Sequence, residues 1–137
     1  GKGIVDHDGV KRAILCAGKV YVDLIGSKMY TKAKNTAIIR VEELYPFPRK
    51  ALENIFSSYA ALEEVIWLQE EPKNRGAWSF AAPRVREILP PEIPLLYVGR
   101  PARSSPAEGS ATLHKIEQER IISEGFAPIN KMTAVAS

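Results

Sequence analysis

A chain of 137 residues, 45% hydrophobic and 26% charged, has the makeup of one globular domain with length for a single sizeable core. No apolar run approaches the ~20 residues of a membrane span, no signal or transit peptide is expected from the opening residues, and a lone cysteine, Cys16, excludes an internal disulfide. The net charge of +3 is uneven: residues 1–50 hold ten Lys/Arg against five Asp/Glu, residues 51–100 five against seven, and residues 101–137 four of each.

The elements follow in chain order. Residues 13–17 form a short apolar run ended by Gly18, suited to a strand buried on both faces, with Cys16 inert inside it. Val22, Ile25 and Met29 then recur at helical spacing, and a helix is expected up to Thr31. Residues 37–41 are the second strand. Tyr45-Pro46-Phe47-Pro48 forces an extended connection, because each proline fixes its own φ and disfavours helix in the residue before it. Leu52, Ile55, Phe56 and Tyr59 give a clean helix face. Residues 65–69 are the third strand. Trp78, Ala81, Ala82, Val85, Ile88 and Leu89 mark the strongest apolar stripe, which predicts a buried Trp78 and a helix ended by Pro90-Pro91. Residues 95–98 are the fourth strand, 100–110 a long loop, 113–123 the last helix, and 127–137 a frayed tail. Strands alternating with helices imply an α/β three-layer sandwich, with a four- or five-stranded, mostly parallel sheet, over residues 1–126.

The polar residues cluster at two strand ends. After the third strand come Glu70 and Glu71, then Lys73, Asn74 and Arg75 ahead of Gly76. Adjacent carboxylates on a strand point to opposite faces, so the glutamates are expected to solvate the strand end and to pair with Lys73 or Arg75. Asn74 is placed to cap the following helix. An anion held by Lys73, Arg75 and the helix N-terminus is the sharper alternative. After the fourth strand, Arg100, Arg103, Ser104 and Ser105 could grip a phosphate through guanidinium forks and hydroxyls, or serve as an interdomain salt-bridge loop. His114 is expected to cap or stack at the start of the last helix. Neither it nor His7 has a second ligand at zinc spacing. No G-x-S-x-G elbow, dinucleotide fingerprint or P-loop is present. The basic excess of the first fifty residues, spread over Lys2, Lys11, Arg12, Lys28, Lys32 and Lys34, reads as a solvated face rather than a nucleic-acid footprint.

Four blocks also carry a family resemblance. They are Cys16-Ala17-Gly18-Lys19-Val20-Tyr21, the run Ile39-Arg40-Val41-Glu42-Glu43-Leu44-Tyr45-Pro46-Phe47-Pro48, the turn Gln69-Glu70-Glu71-Pro72-Lys73-Asn74-Arg75-Gly76-Ala77-Trp78, and Tyr97-Val98-Gly99-Arg100-Pro101-Ala102 continuing through Ser105-Pro106-Ala107 to His114. In this order, over roughly residues 11–126, they resemble the C-terminal domain of the 2-oxoglutarate dehydrogenase first component, a thiamine-diphosphate-dependent decarboxylating subunit. The resemblance implies a transketolase C-terminal type of fold. It implies a longer parent that decarboxylates 2-oxoglutarate with thiamine diphosphate and Mg²⁺ and succinylates the lipoyl group of the second component. A related parent, such as a 2-oxoadipate dehydrogenase or a 2-oxoglutarate decarboxylase, would share these blocks. The opening Gly1-Lys2-Gly3, without a methionine, is expected of a piece of such a polypeptide.

The Gly-Asp-Gly…Asn motif that holds metal and diphosphate in such enzymes is absent. No catalytic, cofactor-binding or metal residue is therefore assigned within this chain. Glu70, Glu71, Lys73, Asn74, Arg75, Arg100, Arg103, Ser105 and His114 are the interface or ligand candidates. The implied partners are the rest of the parent subunit, its dimer mate, dihydrolipoyl succinyltransferase and dihydrolipoyl dehydrogenase, with acetyl-coenzyme A or an adenine nucleotide as the regulator. The alternative is a freestanding acyl-coenzyme A or nucleotide-binding module built on Arg100, Arg103 and the 73–76 turn. A bacterial cytoplasm is the expected compartment, or the mitochondrial matrix in a eukaryote.

Overall fold

The apolar runs become neighbouring strands of one sheet. The computed structural model describes residues 7–102 and 111–128. Strands β1 (Arg12–Cys16), β2 (Thr36–Arg40), β3 (Glu64–Pro72) and β4 (Leu95–Arg100) lie in the order β2-β1-β3-β4, every pair parallel. β1 is buried at all five positions and β3 from Glu64 through Gln69, as strands covered on both faces demand. The helices are α1 (Val20–Ile25), α2 (Lys28–Lys32), α3 (Arg49–Ser58), α4 (Trp78–Ile88) and α5 (Ala111–Gly125).

Alternation along the strands divides the core in two. Ala13, Leu15, Val65 and Trp67 face Leu52 and Phe56 of α3 and Ala81 and Val85 of α4. Ile14, Cys16, Ile66 and Leu68 face Val20 and Leu24 of α1 and Ile121 of α5. The result is the expected three-layer α/β sandwich, with four strands. Its direction reverses between β2 and β3, so the switch point lies between β1 and β3, and their carboxyl ends mark the crevice where open α/β sheets bind.

Three expectations need correction. The single helix through Val22, Ile25 and Met29 is two short helices, and those residues face solvent at 55%, 38% and 44% exposure. Gly26 ends α1, and the Ser27 hydroxyl accepts from the Met29 N–H to start α2, so the buried pair is Val20 and Leu24. The third strand runs on through Pro72, with its register against β4 shifting between Leu68 and Pro72. Arg12 does not belong to a solvated basic face. It is buried at the amino edge of the sheet, where its Nε donates to Glu64 at 2.6 Å and its Nη1 to the Gly125 carbonyl at 2.9 Å. The tail expected over 127–137 falls, from residue 129, outside the described residues.

Candidate functional site

The carboxyl edge is organised by a residue the sequence did not single out. Gln69 shares a strand face with Trp67 two residues earlier and is buried to 3% exposure. Its Oε1 accepts from the Trp67 indole at 2.9 Å and from the Trp78 backbone N–H at 3.1 Å. Its Nε2 donates to the carbonyls of Glu71, Pro72 and Arg75 at 3.1, 2.9 and 2.8 Å. One amide thus joins the end of β3, the turn and the first turn of α4. The N-cap position of α4 is Ala77, without a side-chain cap, so Gln69 supplies the acceptor expected of Asn74.

Two glycines make room for this network. Gly76 has φ +69°, and a Cβ there would stand 3.2 Å from both Gln69 side-chain polar atoms and 3.0 Å from Glu71 Oε1. A Cβ at Gly99 would come within 2.6 Å of the Tyr97 hydroxyl and 2.7 Å of the Gln69 carbonyl. Tyr97 donates to the Arg100 carbonyl at 2.6 Å, and burial pushes its hydroxyl up to about 12. The Lys73 N–H donates to the same carbonyl at 3.0 Å.

The candidate residues divide accordingly. Glu70 accepts from Gln118 Nε2 at 3.0 Å, and the same nitrogen donates to Asp23 at 3.1 Å, joining β3, α5 and α1. The expected pairing of Glu70 or Glu71 with Lys73 or Arg75 is not made among the described residues. Glu71 lies beside Gly76, and the Lys73 ammonium sits over the rings of Tyr97 at 5.2 Å and Trp78 at 5.9 Å. Trp78 is half-buried, edge-on to Tyr97 with centroids 5.1 Å apart; Trp67 is the deeply buried tryptophan. Asn74 and Arg75 are exposed. Arg100 is buried to 4% exposure at the end of β4. His114 is exposed, as the fourth residue of α5 rather than at its cap. Arg103 and Ser105 lie outside the described residues, as does Ser104.

Beside these residues is a shallow concavity of about 560 Å³ lined by Lys73, Tyr97, Gly99, Pro101, Ala102, Glu117 and Arg120. Arg120 went unnoticed in the sequence because it reads as one more charge on a polar helix. It donates to Glu117 at 2.9 Å, to Glu124 at 2.6 Å and to the Gly99 carbonyl at 3.1 Å, clamping α5 to the end of β4. Its hydrogen bond to Glu117, the largest influence, together with Glu124 raises its pKa. A cation already matched by two carboxylates is a poor anchor for a phosphate. Cys16 offers no nucleophile: burial pushes its thiol up to about 12, with Arg40 opposing weakly.

This edge does not fit a magnesium-bound diphosphate. Asp23 and Glu70 converge on an amide N–H, not on a cation. Among the described residues no three of His, Cys, Asp or Glu are grouped to hold a metal, and no helix is long and apolar enough to cross a membrane. The polar groups of the edge serve to fix a strand, a turn and two helices.

Comparison with known proteins places the chain in a family. The family described as 2-oxoglutarate dehydrogenase C-terminal matches residues 1–126. The chain is 51% identical over 130 residues to a 2-oxoglutarate dehydrogenase E1 component of Shouchella clausii, covering 91% of this chain and 14% of that protein. It is 48% identical to the E1 component of Bacillus licheniformis, covering 90% and 13%, and 38% identical to that of Haemophilus influenzae, also covering 90% and 13%. The chain thus spans about one-seventh of the length of these relatives. A solved structure titled split gene transketolase, inactive beta4 tetramer, superposes with a TM-score of 0.64 at 19% identity over 94% of this chain and 41% of that one, a likeness of fold. The chain belongs to the 2-oxoglutarate dehydrogenase C-terminal family.

Proposed function

We propose that this chain is the C-terminal domain of a 2-oxoglutarate dehydrogenase first component and serves there in assembly rather than chemistry. The parent oxidatively decarboxylates 2-oxoglutarate with thiamine diphosphate and Mg²⁺ held elsewhere in its polypeptide. It passes the succinyl group to the lipoyl arm of dihydrolipoyl succinyltransferase, with dihydrolipoyl dehydrogenase as the third component. Residues 1–126 form the domain and 127–137 its tail. The bacterial relatives support a cytoplasmic parent.

The observation that carries the assembly role is the contrast at the carboxyl edge. The polar groups around Gln69 are consumed internally, while the first six residues of α5, Ala111 through Ile116, are all exposed, Ile116 to 54%. A helix end that presents leucine and isoleucine beyond the sheet suits a subunit or interdomain contact.

Sedimentation of the full-length parent tests this. Ile116→Asp should shift the dimer toward monomer while leaving the stability of the 137-residue chain within about 0.5 kcal/mol. Intact assembly together with lost acetyl-coenzyme A binding would replace the assembly role with a regulatory one. The purified chain should release no CO₂ from 2-oxoglutarate.

A further inference from the structure

Val22, Ile25 and Met29 recur at the spacing of a buried helix face, yet they are turned outward at 55%, 38% and 44% exposure. The core side of α1 is already filled by Val20 and Leu24. One exposed aliphatic side chain is ordinary. Three on two consecutive short helices mark an interaction face.

The charge around this stripe has one sign. Lys19 stands three residues before Val22, Lys28 directly before Met29, and Lys32 three residues after it. Residues three apart are neighbours on a helix surface, so lysines bracket the stripe at both ends. All three are exposed, and none makes an ion pair among the described residues. From residue 9 to residue 41 the one acidic residue is Asp23. Its carboxylate accepts from Gln118 Nε2 at 3.1 Å, which ties it to α5.

An aliphatic middle with cationic ends selects its occupant by chemistry. A helix that lays its own apolar side along Val22, Ile25 and Met29 needs carboxylates at its margins to match Lys19, Lys28 and Lys32. An anionic bilayer would meet the same lysines. Helices of six and five residues, with three aliphatic side chains between them, offer little to bury among acyl chains. We propose that the outer face of α1 and α2 is the docking site of an amphipathic helix with acidic margins, supplied by the rest of the parent polypeptide. That source rests on the function proposed above, since the chain spans about one-seventh of the length of its relatives.

Two measurements on the full-length parent test this. A carbodiimide joins an amine to a carboxylate in direct contact. It should link Lys28 or Lys32 to an Asp or Glu outside residues 1–137, located by peptide mass spectrometry. Links confined to residues 1–137, or none, overturn the proposal. Acetylation of Lys28 and Lys32 by an N-hydroxysuccinimide ester should run about ten-fold slower in the parent than in the 137-residue chain, as for a face covered about nine-tenths of the time. Ile25→Asp in the parent should restore the fast rate. Equal rates in parent and chain overturn the proposal, and so does protection that survives Ile25→Asp. Slowing of the chain by phosphatidylglycerol vesicles, with none in the parent, would put a membrane surface in place of the helix. Sedimentation of Ile116→Asp judges the assembly role on other residues, so either reading can fail alone.

Discussion

At the amino edge, Arg12 and Glu64 face each other across the first rung of β1 and β3, 2.6 Å apart and each at most 2% exposed. At the carboxyl edge of β3 the corresponding work is done by Gln69, a neutral amide with five partners. The first device joins two strands to the C-terminal end of α5 through opposite charges in a desolvated place. The second joins a strand, a turn and a helix start through one neutral side-chain amide. A buried ion pair contributes little over well-packed apolar residues but is costly to halve. An amide network loses its bonds in parts, and groups near the surface recover some of them from water. The two edges should therefore fail differently.

The largest effect belongs to the amino edge. Glu64→Ala strands the Arg12 guanidinium in the core and should cost about 3–5 kcal/mol in urea unfolding. Replacing both partners, Arg12→Met with Glu64→Leu, should recover most of that loss. A double variant as unstable as the single one would mean that the Arg12 bond to the Gly125 carbonyl, not the ion pair, closes this edge.

Gln69→Leu comes next. It takes the amide from the Trp67 indole, the Trp78 N–H and the Arg75 carbonyl, while the Pro72 carbonyl keeps the Arg75 N–H and the Glu71 carbonyl the Tyr97 hydroxyl, and should cost about 2–3 kcal/mol, less than the sum of five bonds. The loss should appear as faster amide exchange at the start of α4, whereas Glu64→Ala should loosen the start of β1 and β3. The same exchange pattern in both variants would erase the distinction between the edges.

How much of this was legible in the sequence follows from the range of each interaction. The four strands could be read because a strand buried on both faces is an uninterrupted apolar run, and α4 because its stripe repeats over three turns. The stripe at Val22, Ile25 and Met29 misled because helical spacing does not say which side of a helix faces the core. The Gly26-Ser27 pair was the signal of a break. Gln69 was missed because a glutamine followed by two glutamates looks like a solvated strand end. Its distinguishing mark was its place on the same strand face as Trp67, whose N–H needs an acceptor. Arg12 and Glu64 are 52 residues apart, and nothing local announces that parallel pairing will set them side by side. The site candidates fared as such geometry allows. The turn expected from residue 70 begins only after Pro72, where the longer third strand ends, and its internal partners depended on Gln69 and on α5.

A smaller effect separates the core from both edges. The Cys16 thiol lies on the α1 side of β1 with its pKa raised from 9.0 to about 12 by burial. A group whose folded pKa is raised holds its proton more tightly in the folded state. Its contribution is complete below pH 9 and is lost as the pH climbs toward 12. By pH 10 the loss is on the order of 1 kcal/mol. Tyr30, Tyr59 and Tyr97, raised by burial from 10.0, lose stability in the same direction as the pH nears 10. Cys16→Ala should therefore make the profile less steep in that interval without levelling it, whatever its cost at neutral pH. An unchanged slope would assign the loss to another group.

The smallest expected effect returns to the carboxyl edge. Arg75 is exposed, and only its backbone enters the Gln69 network, through the carbonyl. Arg75→Glu should therefore change the stability of the isolated chain by no more than about 0.5 kcal/mol. If this edge meets the rest of the parent or its dimer mate, the same reversal sets a like charge against a partner surface, and removing one member of a buried charge pair there costs on the order of 2–5 kcal/mol. Sedimentation of the full-length parent should then show weakened assembly while denaturation of the isolated chain shows almost nothing. At the amino edge the order is reversed: Glu64→Ala should unfold the isolated chain readily and, in any parent that still folds, leave the dimer constant unchanged. Assembly unaffected by Arg75→Glu would take the turn out of the interface and leave the exposed start of α5 to carry it.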